Sequence, residues 1–204
     1  MTDKDILDKI RIIEKPEWIS FDDIHKLLYD AHESNRERGF HVKTAEMSGE
    51  EIEQHIGEHG KCFVALLGDK LIGTISYRII RRQYWCISDS VVDQVLIGII
   101  PEYKGLHVSE KLWRKVYEEA KNNGYKSIEL RTAEKNSIVQ QICLKEGFHF
   151  VDFKSYRIDH YTVVMMKWID ECPYSDIQFI LHYQIRKLFV KLRYKPGKVK
   201  RFGL

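Results

Sequence analysis

A chain of 204 residues that is 44% hydrophobic and 31% charged holds enough apolar side chain for one ordinary core plus a small appendage, and too much to be disordered throughout. No apolar run approaches the 18 or so residues of a bilayer span, and Met1-Thr2-Asp3-Lys4-Asp5 lacks the basic-then-apolar layout of a secretion signal, so a cytoplasmic location is expected. The net charge of +3 points to neither nucleic acid nor membrane, but eight positive charges and no acid follow Asp176, and removing those eight leaves −5 on the remainder.

In chain order, Ser20-Phe21-Asp22-Asp23 has the form of a helix cap, and Ile24, Leu27, Leu28 and Ala31 recur behind it at helical spacing, which predicts a helix over 21–36. Ser48-Gly49-Glu50-Glu51 repeats the signature before Ile52 and Ile56, predicting a second helix that Gly57 and Gly60 end. Strands are predicted over 62–67 and 71–77 around the hairpin loop Gly68-Asp69-Lys70, and over 91–100, closed by Pro101. Leu112, Val116 and Ala120 place a helix at 108–122. A strand at 125–130 and a helix at 136–146, with Ile138, Ile142 and Cys143 on one side, follow. The last antiparallel pair, 148–156 and 161–168, turns around Asp159-His160. The order ααβββαβαββ predicts an α/β (α+β) fold, a mixed and mostly antiparallel sheet with helices on both faces.

Residues 1–170 are expected to form that domain, and 171–204 a basic tail. Ile177, Leu181, Ile185, Leu188 and Leu192 recur there at spacings of three or four, predicting an amphipathic helix up to Pro196-Gly197. Such a segment packs on the acidic body or on a second subunit, or it lies on an anionic membrane surface through residues 173–204. Cys62, Cys86, Cys143 and Cys172 are far apart without a C-x-x-C pair and are read as reduced thiols. Glu51, His55 and His59 share a helix face, but no H-E-x-x-H signature is present; they are read as an exposed polar stripe, and no metal is expected.

The chemistry concentrates where the chain leaves a central strand through Pro101-Glu102-Tyr103-Lys104-Gly105-Leu106-His107 into a helix. First-turn N–H groups lack intrahelical partners and sit at the positive end of the dipole, so such a turn can hold a pyrophosphate. Gly105 allows close approach, and Gly98 inside the strand suggests a bulge that exposes backbone groups to an extended ligand.

Ile99-Ile100-Pro101-Glu102-Tyr103-Lys104-Gly105 is similar to the segment V-x-P-x-x-R/Q-G, and Asn136 followed by Lys145-Glu146-Gly147-Phe148 is similar to N-x-x-A…Y-x-x-x-G-F. Through these segments, residues from Lys61 to about Trp168 resemble the GNAT family of acyl-coenzyme A N-acyltransferases. The resemblance implies acetyl-coenzyme A as co-substrate, with its pantetheine along the backbone of Ile97, Gly98 and Ile99 and its pyrophosphate on the amides of Lys104, Gly105, Leu106, His107, Val108 and Ser109. It also implies that Asn136 lies near the arm and that no metal takes part. In the family's phosphate turn, R/Q-x-x-G-x-G/A, the three marked positions are here Lys104, His107 and Ser109. Lys104 keeps a positive charge and Ser109 stays small, whereas His107 puts a ring where close approach is expected.

The implied reaction is direct attack of an acceptor amine on the thioester in a ternary complex. Asp93, Val95, Ile97 and Ile99 share one strand face by the two-residue period, making Asp93 the candidate base; the plainer role is a polar residue at a strand entrance. Cys143 stands where the family often has the tyrosine that protonates the leaving thiolate, and is either that acid or a small core residue. The acceptor expected is a small amine, such as an amino sugar of surface-glycan synthesis, bordered by residues 31–40; nucleic acid is not an expected partner. A second reading is a non-catalytic scaffold that acts through the basic tail, and a homodimer is compatible with either.

Overall fold

Two elements precede the first predicted helix. In the computed structural model, which describes residues 3–37, 39, 42–155 and 161–193, helix α1 (Asp3–Lys9) leads into strand β1 (Ile10–Glu14). Helix α2 (Phe21–Ala31) starts at a full capping box, Ser20 accepting from the Asp23 amide while the Asp23 carboxylate accepts from the Ser20 amide. It stops at His32 rather than continuing to 36, and a separate turn of helix, α3 (Glu33–Glu37), follows. Helix α4 (Gly49–Ile56) has the same box between Ser48 and Glu51.

Strands β2 (Lys61–Leu67) and β3 (Lys70–Tyr84) form the predicted hairpin, but β3 runs on to Tyr84 and β4 (Ile87–Ile99) begins early, so 78–90 is a long ribbon rather than a loop. Helix α5 (Val108–Asn122), strand β5 (Ser127–Ala133), helix α6 (Ser137–Lys145), strands β6 (His149–Ser155) and β7 (Tyr161–Trp168), and helix α7 (Asp176–Arg193) complete a mixed α/β chain whose β1–β2, β2–β3, β5–β7 and β6–β7 pairings are antiparallel. The predicted turn at Asp159-His160 and the stop at Pro196-Gly197 lie outside the described residues. No helix among the described residues is long and apolar enough to cross a membrane.

The chain divides into two units. The first comprises residues 1–79 and 92–123. Helices α2 and α4 cover one face of its strands, where Ile24, Leu28, Ile52 and Ile56 meet Val64, Leu66 and Leu96. Helix α5 lies on the other face, its Lys115 Nζ 5.7 Å from the centre of the Phe63 ring. Lys111 ties α5 to the N-terminal elements, donating to the carbonyls of Leu7 at 2.6 Å and Ile10 at 3.3 Å.

The second unit comprises residues 80–91 and 124–204. Strand β7 lies between β5 and β6, and α7 packs on β6 with Phe179, Tyr183 and Val190 buried. Trp85 stacks on His182 with centroids 4.0 Å apart and planes 8° apart, and meets Phe179 and Tyr174 edge-on or tilted. Arg186 pairs with Asp152 at 2.9 Å, and Lys187 and Lys191 both reach Glu134. The apolar stripe the sequence singled out therefore does not pack on the protein's own body: Ile177, Leu181, Ile185, Leu188 and Leu192 are all exposed, because the aromatic side chains of the opposite helix face fill the sheet contact instead. On α6, similarly, Cys143 is buried but Ile138 and Ile142 are exposed.

Candidate active site

The predicted turn ends β4 in the first unit. Pro101–Tyr103 form a 3-10 turn, in which the Lys104 amide donates to the Pro101 carbonyl at 3.2 Å and the Leu106 amide to the Tyr103 carbonyl at 3.4 Å. Those two amides are thus engaged internally. The helical ladder of α5 begins with Glu110 and Lys111 donating to the His107 carbonyl, so the amides of Gly105, His107, Val108 and Ser109 make no backbone bond among the described residues. These four N–H groups therefore stand without backbone partners at the positive end of a 15-residue helix, the arrangement in which an anion can be held.

Two residues of this turn need left-handed backbone. Gly105 has φ 87° and nothing near its missing Cβ, so its role is conformational. His107 has φ 57° and ψ 20°, which explains why glycine suits its place in the phosphate-turn pattern. Its ring does not fill the turn: the side chain is 65% exposed and Nδ1 lies 2.6 Å from Glu110 Oε1. The hydrogen bond and charge of Glu110 raise the His107 pKa. Lys104 also departs from expectation, its ammonium turning back to the Ala31 carbonyl at 2.8 Å and closing the end of α2.

Above the turn, β4 is kinked, but not where the glycine suggested. The left-handed residue is Leu96, φ 55°, and Gly98 has ordinary backbone. Gly98 is small for another reason: a Cβ there would sit 3.0 Å from Ala31 Cβ and 3.0 Å from Leu28 Cδ2, so it lets α2 approach the strand. The kink also breaks the side-chain alternation. Leu96 and Gly98 face α2, whereas Ile99 lies beside Leu112 of α5 at the place where Gly73 lacks a Cβ. Asp93 pairs with Arg78, whose Nη1 lies 3.5 Å from His55 Nδ1 on α4, so Asp93 points to the α2/α4 side and does not share a face with Ile99.

The Arg78–Asp93 ion pair is 2.9 Å long, with the Asp93 side chain wholly buried. His55 thus turns toward this pair rather than forming a solvated stripe with His59. Next to it His32 locks the strand: Asn35 Nδ2 donates to Nδ1 at 3.1 Å, which leaves Nε2–H to donate to the Ile97 carbonyl at 3.0 Å. Burial keeps this imidazole neutral, pulling its pKa down, with the Ile97 bond acting the other way. Neither His32 nor Arg78 stood out in the sequence, since both depend on contacts far along the chain.

Asn136 and Cys143 belong to the second unit. Asn136 caps α6, its Oδ1 accepting from the Val139 amide at 3.5 Å. Cys143 is fully buried, and burial pushes its thiol up to about 12. Within the first unit an open cleft of about 680 Å³ adjoins the start of the turn, where Asp23, Asp30, Glu33, Asp69 and Glu102 outnumber Lys26 and Lys70. No group of three His, Cys, Asp or Glu side chains suited to a metal ion occurs among the described residues.

A left-handed residue before the end of the strand, a turn with four amides unbonded to other backbone and a helix behind it make up this region of the mixed α/β fold. The chain matches the acetyltransferase (GNAT) family over residues 21–148 and belongs to that family of acyltransferases. Among solved structures it is similar to the ribosomal-protein-S18-alanine N-acetyltransferase of Escherichia coli, at TM-score 0.61 and 13% identity over 79% of this chain and 95% of that one. The PaiA N-acetyltransferase of Thermoplasma acidophilum, solved with coenzyme A, gives 0.60 and 17% over 78% and 98%. An aminoglycoside 6'-N-acetyltransferase complexed with coenzyme A gives 0.56 and 15% over 80% and 99%. At these identities the likeness is one of fold. No curated protein matches the sequence.

Proposed function

We propose that the protein transfers an acetyl group from acetyl-coenzyme A to the amine of a small acceptor by direct attack in a ternary complex. The observation that carries this reading is the set of four amides at Gly105, His107, Val108 and Ser109 without backbone partners among the described residues, in a chain of this family. In this reading they hold the pyrophosphate, and the kinked strand from Ile97 to Ile99 offers its edge to the pantetheine arm. The Ile97 carbonyl is already bound by His32, so the arm reads the remaining groups of the strand. Acetyl-coenzyme A supplies the activated acyl carbon; a strand N–H stabilises the oxyanion that forms when the amine adds.

Asp93 is assigned as the base that takes the amine proton through a water, its carboxylate held in place by Arg78. Cys143 is assigned to the core, since a thiol held near 12 is a poor donor to a leaving thiolate. The acceptor is assigned as a cationic amine, an amino sugar being the favoured class, because the acidic cleft attracts positive charge and because sugar amines are partly unprotonated near neutral pH.

The test is coenzyme A thiol release across amino sugars, polyamines and peptides, beside calorimetric binding of acetyl-coenzyme A. Tight binding with release driven by amino sugars is expected; absence of binding overturns the reading. Asp93→Asn is expected to lower kcat at least tenfold while leaving coenzyme A affinity unchanged. A variant with wild-type kcat shows that the carboxylate serves only the ion pair.

A further inference from the structure

Helix α7 has two apolar faces, and the second unit uses only one of them. The face opposite Phe179, Tyr183 and Val190 carries Ile177, Leu181, Ile185, Leu188, Phe189 and Leu192, each between 46% and 76% exposed. Together they form a continuous strip along a helix of 18 residues. Six large apolar side chains exposed side by side on one helix face are more than the scattered single residues ordinary on a monomer and mark an interaction surface.

We infer that this strip is a two-fold interface with a second copy of the chain, α7 packing antiparallel against α7. Three features select that occupant. First, the strip is self-complementary: an antiparallel pairing centred between Gln184 and Ile185 sets Ile177 level with Leu192 and Leu181 level with Leu188 across the two copies. Secondly, charge runs along the helix from acidic to basic, with Asp176 in the first turn and Lys191 and Arg193 in the last. Asp176, 80% exposed, already meets His149 of its own chain at 3.1 Å, and Lys191 is held by Glu134, so the polarity acts between helix ends. Antiparallel pairing sets each acidic, positive-dipole start beside the other copy's C-terminal end with Arg193, whereas parallel pairing stacks like against like.

Thirdly, the described basic side chains of α7 next to the strip, Arg186, Lys187 and Lys191, are held by acidic side chains of the same unit, Arg186 by Asp152 and both lysines by Glu134. A membrane-surface helix instead points such residues outward to the headgroups. The interface is independent of the acceptor assigned above, and its tests do not read catalysis.

Light scattering on the full chain during gel filtration is expected to give twice the chain mass of 24.3 kDa, and Leu181→Glu/Leu188→Glu to give 24.3 kDa with an unchanged circular dichroism spectrum. A wild-type mass of 24.3 kDa at the highest soluble concentration overturns the proposal. So does a monomer that sediments with phosphatidylserine-containing vesicles through the same two leucines, which would assign the strip to lipid. Orientation is read by disulfide trapping in a Cys172→Ser background. Ile177→Cys mixed with Leu192→Cys is expected to cross-link readily and Ile177→Cys alone not at all, since its two copies would lie about 20 Å apart. Efficient cross-linking of Ile177→Cys alone overturns the antiparallel arrangement.

Discussion

At His107 a single side chain joins backbone geometry to electrostatics. A histidine accepts the left-handed conformation at some cost, and its ring finds Glu110 rather than the turn. Because Glu110 raises the folded-state pKa above the ordinary 6.5, the charge on His107 and its contribution to stability are fully present below pH 6.5 and are lost as pH rises through the raised value. The proposed pyrophosphate site then loses a nearby positive charge as pH rises. Coenzyme A affinity is therefore expected to fall as pH rises through that raised value, and in Glu110→Gln the fall should begin at lower pH; calorimetric titrations across the range measure both. Cys143 illustrates the opposite case, a reactive side chain made inert by burial. Cys143→Ala should leave turnover within a few-fold, and a loss of orders of magnitude in a steady-state assay would restore it as the acid.

The identity of these residues was legible in the sequence; their orientation was not. The turn from Pro101 to Ser109 was readable because the glycine and helix-start signals that shape it are local. By contrast, that Lys104 spends its charge on the Ala31 carbonyl depends on a contact 73 residues away.

Among elements, those with local punctuation were readable. Capping boxes at Ser20 and Ser48 fixed two helix starts, and the spacing of Leu112, Val116 and Ala120 matched α5 over 108–122. Strand β1 and the ribbon beyond Tyr77 were missed, since Arg78, Arg81 and Arg82 mask the strand pattern and find partners only in the folded chain, as where Arg82 grips the buried Glu129 in the second unit. The face of Asp93 was misjudged because a two-residue period holds only while backbone stays extended, and Leu96 interrupts it. Gly98 makes the packing consequence measurable: Gly98→Ala forces a methyl against Ala31 and Leu28 and should cost about 1–3 kcal/mol in chemical denaturation, partly offset by about 0.4–1 kcal/mol from the reduced freedom of the unfolded chain. A neutral substitution would mean that α2 can retreat from β4 freely.

For the molecule as a whole, composition gave the right class, and the mixed α/β fold followed from element order. The tail was recognised as an amphipathic helix, but one stripe was visible where two exist; aromatic residues at Phe179 and Tyr183 fall outside an aliphatic count, yet they are the side that docks. This docking leaves an optical signature. Trp85 is sandwiched by His182 and Phe179 from α7, so its indole emission is governed by whether that helix is seated. In a Trp18→Phe/Trp113→Phe/Trp168→Phe background, a red-shifted spectrum arriving before ellipticity declines on heating would time the helix's departure separately from melting of the sheet. The chain thus contains its own fluorophore for following the undocking of its last helix, with no dye attached.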